Sequence, residues 1–326
     1  HTAETNLDSN GGGDVLNIRT IDGVTNVDSG TGSDTINVGS NANGTLTSPQ
    51  ANSNGTLDDI DALLTIDGNA PASGSDYLII DDTGDTTSNT GTLTDTTITG
   101  LGLSASGMTY TAIEHLVISL GDGGNTFTIN STHGTATNDY VEDTTLNTGG
   151  GADNVTINDV TDTLVVNGEG GTDVINVNGT GSGSSTTLNG DNSDDIFNIR
   201  AIAGNTTVNA GDGADTINVG SNALGVVGDA GNNGGGNVDS ISALLTVNGN
   251  SPDTAGSDVL NIDDTGDTNN NTGNLTDSRI TGLDMAGSIT YGTIEILNIG
   301  LGSAADVFTI DSTHTAVTNL DSNGGG

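Results

Sequence analysis

The sequence predicts an all-β fold: a parallel β-solenoid (β-helix or β-roll) of about 20-residue coils with inserted loops. Three observations lead there. Short apolar–x–apolar phrases alternate as half-buried strands do. Gly/Asp/Asn turns separate them, most closed by an aspartate at a near-constant phase. The whole pattern then repeats on longer scales.

The strands come first. Thr206 to Val219 shows the unit: a short strand enters a Gly-rich turn and another leaves it. The leaving strand sets Ile217 and Val219 on one face and Thr216 and Asn218 on the other, the period-2 signature of a strand. Leu16/Ile18, Ile36/Val38, Val155/Ile157, Ile175/Val177, Phe197/Ile199, Leu260/Ile262 and Phe308/Ile310 repeat it. So short a unit cannot bury its own apolar face, whereas stacked units share a continuous Ile/Leu/Val core. Each coil then adds roughly 4.8 Å, so ten or so coils span about 50 Å. A β-sandwich of hairpins would also use Gly/Asn/Asp turns, but it needs no column of Asp. Helices are disfavoured by 52 glycines in 326 residues and by the lack of a 3.6-residue apolar stripe.

The turns come next. The closing Asp falls at Asp14, Asp34, Asp76, Asp153, Asp173, Asp195, Asp215, Asp258 and Asp306, with Asn125 in the equivalent place once. Neighbours are often 20 or 22 apart, and larger gaps such as Asp34 to Asp76 carry insertions. Asn17, Asn37, Asn176, Asn198, Asn218 and Asn261 share one place on the leaving strand. In stacked coils some of them are placed to form amide ladders. A flat glycan- or ice-binding face is the alternative use of that row.

The longer repeats set the organisation. Asp14–Ser131 returns as Asp195–Ser312, with Arg19/Arg200, Tyr110/Tyr291, Glu114/Glu295 and His133/His314 each 181 apart. The last thirteen residues repeat the first thirteen, with only Glu4 against Val317 differing. The chain therefore reads as one period of a tandem array. Residues 1–143 form a first large copy, 144–192 extra coils found once, and 193–326 a second copy running into the next unit.

Composition narrows the function. Three Lys+Arg face 43 Asp+Glu, a net charge of −40, and cysteine is absent. Such a polyanion is a poor partner for nucleic acid or anionic membranes and a good one for cations. No apolar run approaches a membrane span. No H-E-x-x-H or G-x-S-x-G occurs, and the histidines at 133 and 314 are repeat copies, so no enzyme is expected.

The turn chemistry is more specific. Gly211-Asp212-Gly213-Ala214-Asp215-Thr216-Ile217-Asn218 resembles most of the nonapeptide G-G-x-G-x-D-x-U-x, where U is a large apolar residue. So do Gly149–Val155 and Gly168–Ile175. These turns are similar to the repeats-in-toxin (haemolysin-type) calcium-binding repeats, which implies a parallel β-roll with calcium between successive turns. The opposite side of each coil, such as Arg200–Asn205 or Asn178–Gly183, lacks the Asp–x–U ending. At most one column of sites is therefore expected, in larger, more helix-like coils. Chemistry agrees: calcium takes six to eight oxygens in flexible geometry. Stacked bare carboxylates at about 5 Å repel by about 3 kcal/mol per pair at an effective dielectric near 20. The alternative is that Gly, Asp and Asn simply make tight, solvated turns.

The predicted calcium ligands are the nine column aspartates, with Asp153, Asp173, Asp195 and Asp215 as the contiguous run, and Asp212 beside them. A second candidate is Asp81-Asp82-Thr83-Gly84-Asp85 and its copy Asp263-Asp264-Thr265-Gly266-Asp267, read equally as acidic loops opening an insertion. These features point to a structural, extracellular or cell-surface fibre or stalk segment stabilised by calcium. It would join copies of itself end to end, as covalent tandem units or filament subunits, and contact the cell surface or other cells. The long repeats also resemble those of very large bacterial surface proteins. The alternative function is an adhesin module binding glycan or ice.

Overall fold

The computed structural model describes residues 3–44, 53–69, 75–134, 142–225, 234–250 and 257–323, and among them there is no helix. The strands run in chain order as follows. The first are β1 (Thr5–Asp8), β2 (Val15–Ile18), β3 (Thr25–Asp28), β4 (Thr35–Val38), β5 (Leu64–Asp67) and β6 (Tyr77–Asp81). Next are β7 (Thr90–Leu93), β8 (Thr97–Gly100), β9 (Met108–Thr111), β10 (His115–Ser119), β11 (Thr126–Ile129) and β12 (Asp143–Asn147). Then come β13 (Asn154–Ile157), β14 (Thr163–Asn167), β15 (Val174–Val177), β16 (Ser185–Asn189), β17 (Ile196–Ile199), β18 (Asn205–Asn209) and β19 (Thr216–Val219). The last are β20 (Leu244–Asn248), β21 (Val259–Asp263), β22 (Thr272–Leu275), β23 (Arg279–Gly282), β24 (Ser288–Gly292), β25 (Ile296–Gly300), β26 (Val307–Ile310) and β27 (Val317–Asp321).

The chain divides into two compact units, residues 1–151 with 162–166, and residues 152–161 with 167–326. In the first, one sheet has the order β1-β3-β5-β9-β8-β7-β11 and the other β2-β4-β6-β10-β12-β14. In the second, the orders are β13-β15-β17-β19-β21-β25-β27 and β16-β18-β20-β24-β23-β22-β26. Strands close in sequence alternate between sheets, and neighbours within a sheet are mostly parallel. Each pair of strands is thus one coil, and the fold is that of a parallel β-solenoid.

Register explains why this sequence coils. In the second unit Val155, Ile175, Phe197, Ile217, Leu260 and Leu297 lie opposite one another in successive strands. All are buried, Phe197 completely. Two residues further on, Ile157, Val177, Ile199, Val219, Ile262 and Ile299 make a parallel row. A one-residue slip of any coil would carry both rows out of the core, so the period-2 pattern fixes the stacking. The first unit does the same with Ile36–Leu78–Leu116 and Val38–Ile80–Ile118.

In the second unit the asparagine row forms as the stacking requires. Asn176, Asn198, Asn218, Asn261, Asn298 and Asn319 each donate Nδ2 to the Oδ1 of the asparagine one coil earlier, at 2.8–3.2 Å. A second ladder, Asn167–Asn189–Asn209–Asn248, runs along the other sheet at 2.7–2.9 Å.

The insertions hold one feature the alternation did not announce. β8 is antiparallel to both β7 and β9, and β23 repeats this between β22 and β24. The chain reverses at a turn closed by Thr94 N–H to Thr97 O, at 2.9 Å. The hydroxyl of Tyr110 donates to Thr94 O, and that of Tyr291 to Thr276 O, each at 2.7 Å. Leu101 and Leu283 both hold φ at +54°, a left-handed conformation unusual for leucine and kept in both copies.

Candidate metal centre

The turn-closing acids form a hydrogen-bonded column. In the second unit the backbone N–H of Asp153, Asp173 and Asp195 each donates to Oδ1 of the next column aspartate at 2.8 Å, and Asp215 N–H reaches Asp258 Oδ1 at 3.0 Å. Asp258 N–H then donates to Glu295 Oε2 at 2.8 Å. In the first unit the run is Asp14, Asp34, Asp76 and Glu114, at 2.7–2.8 Å. Asn125 and Asp306 take the same role toward Asn89 and Asn271, at 2.9 and 2.8 Å. Each carboxylate thus satisfies a turn N–H of the neighbouring coil that the ladder leaves free. Glu114 and Glu295 extend the column, a part the sequence reading did not give them. Their signal was only their place one coil after Asp76 and Asp258. In the first unit Glu142 N–H bonds Asp162 Oδ2 at 3.3 Å in the same phase further on.

The second oxygen of these acids is buried. Oδ2 of Asp14, Asp34, Asp76, Asp173, Asp195 and Asp215 has no hydrogen-bond donor among the described residues. At Gly168 and Gly249 a β-carbon would lie 2.6 and 2.5 Å from Oδ2 of Asp173 and Asp258. Those glycines are required by space: the carboxyl lies against their α-carbon. Burial therefore pushes Asp195 up to about 9, with Asp173, Asp215 and Asp191 adding repulsion. Burial also raises Asp76, Asp173 and Asp258 to about 7 and Asp215 to about 6. A column acid that carries a proton still accepts the N–H bond through its other oxygen. Asp195→Asn, which keeps Oδ1, is expected to change stability by less than about 1 kcal/mol at pH 7. Asp195→Ala, which strands the buried Asp173 N–H, is expected to cost about 2–3 kcal/mol. Urea unfolding of both variants checks this.

The inserted acidic loops divide their labour. Asp263 Oδ2 accepts from Gly236 N–H at 2.7 Å while its Oδ1 takes the Thr265 N–H and hydroxyl, at 3.1 and 2.5 Å. Asp81 does the same with Gly55 and Thr83. These two aspartates clasp a loop. Asp264 and Asp267 instead meet Asp239, a residue the sequence reading did not select. Carboxylate oxygens of the three lie within 4.8 Å of one another, the one such group of three potential metal ligands among the described residues. Asp264 and Asp267 are buried and Asp239 is exposed, so the cluster is reached from one side.

Asn271, 2 % exposed, leans into this cluster. Its Nδ2 donates to Asp267 Oδ2 at 2.6 Å and Asp264 Oδ2 at 3.3 Å, and its Oδ1 is buried without a donor among the described residues. Burial, then Asp267 and Asp239, raise Asp264 to about 7. The first unit repeats the asparagine bridge. Asn89 Nδ2 bonds Asp85 Oδ2 and Asp82 Oδ2, at 2.8 and 3.2 Å, and burial with the charges of Asp85 and Asp58 raises Asp82 to about 7. Asp58 and Asp239 are 181 residues apart and lie far in sequence from the acidic phrases they join. Only folding reveals them.

The arginines and the described histidines are engaged elsewhere. Arg19 and Arg200 donate Nε to the carbonyls of Ala42 and Ala223, and Arg279 donates Nη2 to Ser288 Oγ. His133 bonds Thr144 and stands edge-on to Tyr110, and His314 does the same with Thr318 and Tyr291. His115 stacks on Tyr77 and bonds Asp143 Oδ2 at 2.6 Å. Its counterparts in the second copy are the apolar Ile296 and Val317, paired in register. Asp212 lines an open groove with Asn189, Asp191, Asn209, Gly211 and Asn250.

Compared with known proteins, the chain matches no family model, no curated protein and no solved structure.

Proposed function

We propose that this chain is a structural segment of a long extracellular or cell-surface repeat protein, an acidic β-solenoid stiffened by calcium. The observation that carries the reading is the half-buried Asp239–Asp264–Asp267 cluster, with Asp82 in the first copy pushed up by burial and by the charges of Asp85 and Asp58. Charges held this close destabilise a fold unless protons or a cation offset them. Carboxylate and amide oxygens suit a hard cation, and calcium tolerates an irregular shell better than magnesium does. A half-turn of the Asn271 amide exchanges Nδ2 for Oδ1 and offers a further oxygen between Asp264 and Asp267. The regular coils and amide ladders support a mechanical role. The chain then stays extended where calcium is scarce and folds where it is abundant, because a ligand that binds only the folded state adds to its stability.

Circular dichroism during calcium titration, with magnesium as control, tests this. The expected result is a calcium-specific gain of β signal or of thermal midpoint. A spectrum and midpoint identical in chelator and in calcium would overturn the calcium reading and leave coils held by apolar and amide ladders.

A further inference from the structure

The strands that end the sheets of the second unit, β26 and β27, are less covered than their counterparts. Ile310 is 49 % exposed where its equivalent Ile129 is 0 %, and Leu320 is 38 % exposed where Leu146 in β12 is 0 %. Their open edge is also patterned. Val307 and Asp311 N–H bond back to the carbonyls of Asn271 and Leu275, so the backbone groups of Asp306, Phe308 and Ile310 face outward by strand alternation. In interior coils two bonds recur: the residue after each column Asp donates N–H to the preceding column Asp carbonyl, and that preceding Asp donates N–H to the next carboxylate. Thr216 to Asp195 and Asp195 to Asp215 are one instance. Asp306 presents the first half of this pair, and Asp14 with Val15 presents the second.

The amide ladder fixes how the halves meet. Asn319 in β27 already donates to Asn298 at 2.8 Å, and Asn6 in β1 already receives from Asn26 at 2.8 Å. β27 contains Thr318-Asn319-Leu320-Asp321, the same four residues as Thr5-Asn6-Leu7-Asp8 of β1. β27 therefore makes the backward contacts of a strand whose forward contacts β1 makes. They are one position of the solenoid, seen from its two sides.

We propose that β26 and β27 are the seat of a following copy of this repeat unit, and that β27 itself serves as that unit's first strand. The following unit then lays its Asp14–Ile18 strand on β26 and its Thr25–Asp28 strand on β27. Two complete copies cannot stack this way: a second β1 laid on β27 would leave β26 one strand short of a partner. Joining is therefore covalent, through the shared thirteen-residue phrase, or it requires one copy to give up its first strand. This deepens the repeat-protein reading and is independent of calcium.

Hydrogen exchange read by mass spectrometry tests it, on the chain itself and on a chain of two units sharing the thirteen-residue phrase, both in excess calcium. In the single chain the peptide covering 306–311 is expected to exchange as one fast population. In the two-unit chain, whose units are identical in sequence, it is expected to split into two equal populations, one at least tenfold slower. One fast population in both chains would overturn the proposal. Sedimentation gives a second readout: the full chain stays monomeric, while a chain lacking residues 1–13 associates head to tail. Association of the full chain with β1 still protected, or a shortened folded chain that stays monomeric, counts against it. A calcium-independent fold would leave both comparisons intact, so failure of the calcium reading is distinguishable.

Discussion

Replacing Asp264 by asparagine is expected to shift stability in opposite directions with and without calcium. In chelator the substitution removes one of three carboxylates within 4.8 Å of one another. The amide oxygen that replaces the carboxylate can still accept the Val238 N–H, which Asp264 accepts at 3.3 Å. Repulsion falls while the loop bond survives, so the variant gains about 1 kcal/mol, a heavily screened fraction of the Coulomb energy at that separation. In calcium the balance reverses. A ligand at a hundred times its dissociation constant contributes about 2.7 kcal/mol to the folded state, and a shell short of one charged oxygen forfeits most of that. Urea midpoints with calcium, magnesium or chelator measure both effects. A shift of the same sign and size in all three media would show that Asp264 holds the loop and no ion. Asp82→Asn is the parallel test in the first copy.

Acidification from pH 8 to pH 5 is expected to stabilise this protein when calcium is absent. The sign follows from the buried acids. Asp76, Asp82, Asp173, Asp258 and Asp264 are raised to about 7 and Asp195 to about 9, each chiefly by burial. Between their unfolded values near 4 and these folded values, the native state binds more protons than the unfolded chain, so stability rises as pH falls. Each group contributes at most about 1.4 kcal/mol per pH unit in its window. After discounting for solvent screening, a total gain of about 3 kcal/mol is the expected order. Below about pH 4 the unfolded chain also takes up protons and the gain levels off. His115 adds to the same slope: its bond to Asp143 raises it, and that contribution is lost as pH rises through its folded value. Unfolding curves at pH 5, 6, 7 and 8 in chelator read the slope directly. A midpoint that falls on acidification across this range would mean the column acids are ionised and stabilised in the native fold. Excess calcium is expected to flatten the part of the slope that Asp82 and Asp264 supply.

Much of this molecule was legible in its sequence because a solenoid is written locally. Two apolar residues one apart, a glycine turn and an aspartate suffice to place Ile217 and Val219 in the core, and repetition settles what they pack against. The asparagine ladder was legible for the same reason: identical residues at identical phase must meet once coils stack. Tertiary structure decided the rest. Column aspartates such as Asp195 use one oxygen on the backbone of the neighbouring coil and press the other against glycine. That choice depends on the turn's three-dimensional path, which turn composition alone does not specify. Within the acidic phrases, neighbours took different parts: Asp263 clasps a loop and Asp264 joins a cluster, because adjacent side chains in a turn point in different directions. Asp239 joins that cluster from a separate segment of the insertion, and Asn271, four residues after Asp267, reaches it only because the turn folds its side chain back. The antiparallel β8 and β23 also emerged only on folding, since a strand's direction is set by its neighbours and not by its alternation. The sequence determined the coil and its core, a one-dimensional pattern read against its own copies. The structure decided which carboxylate oxygens bond to the backbone and which acids gather together, because those assignments rest on side-chain directions and on contacts with the insertions, which the period does not specify.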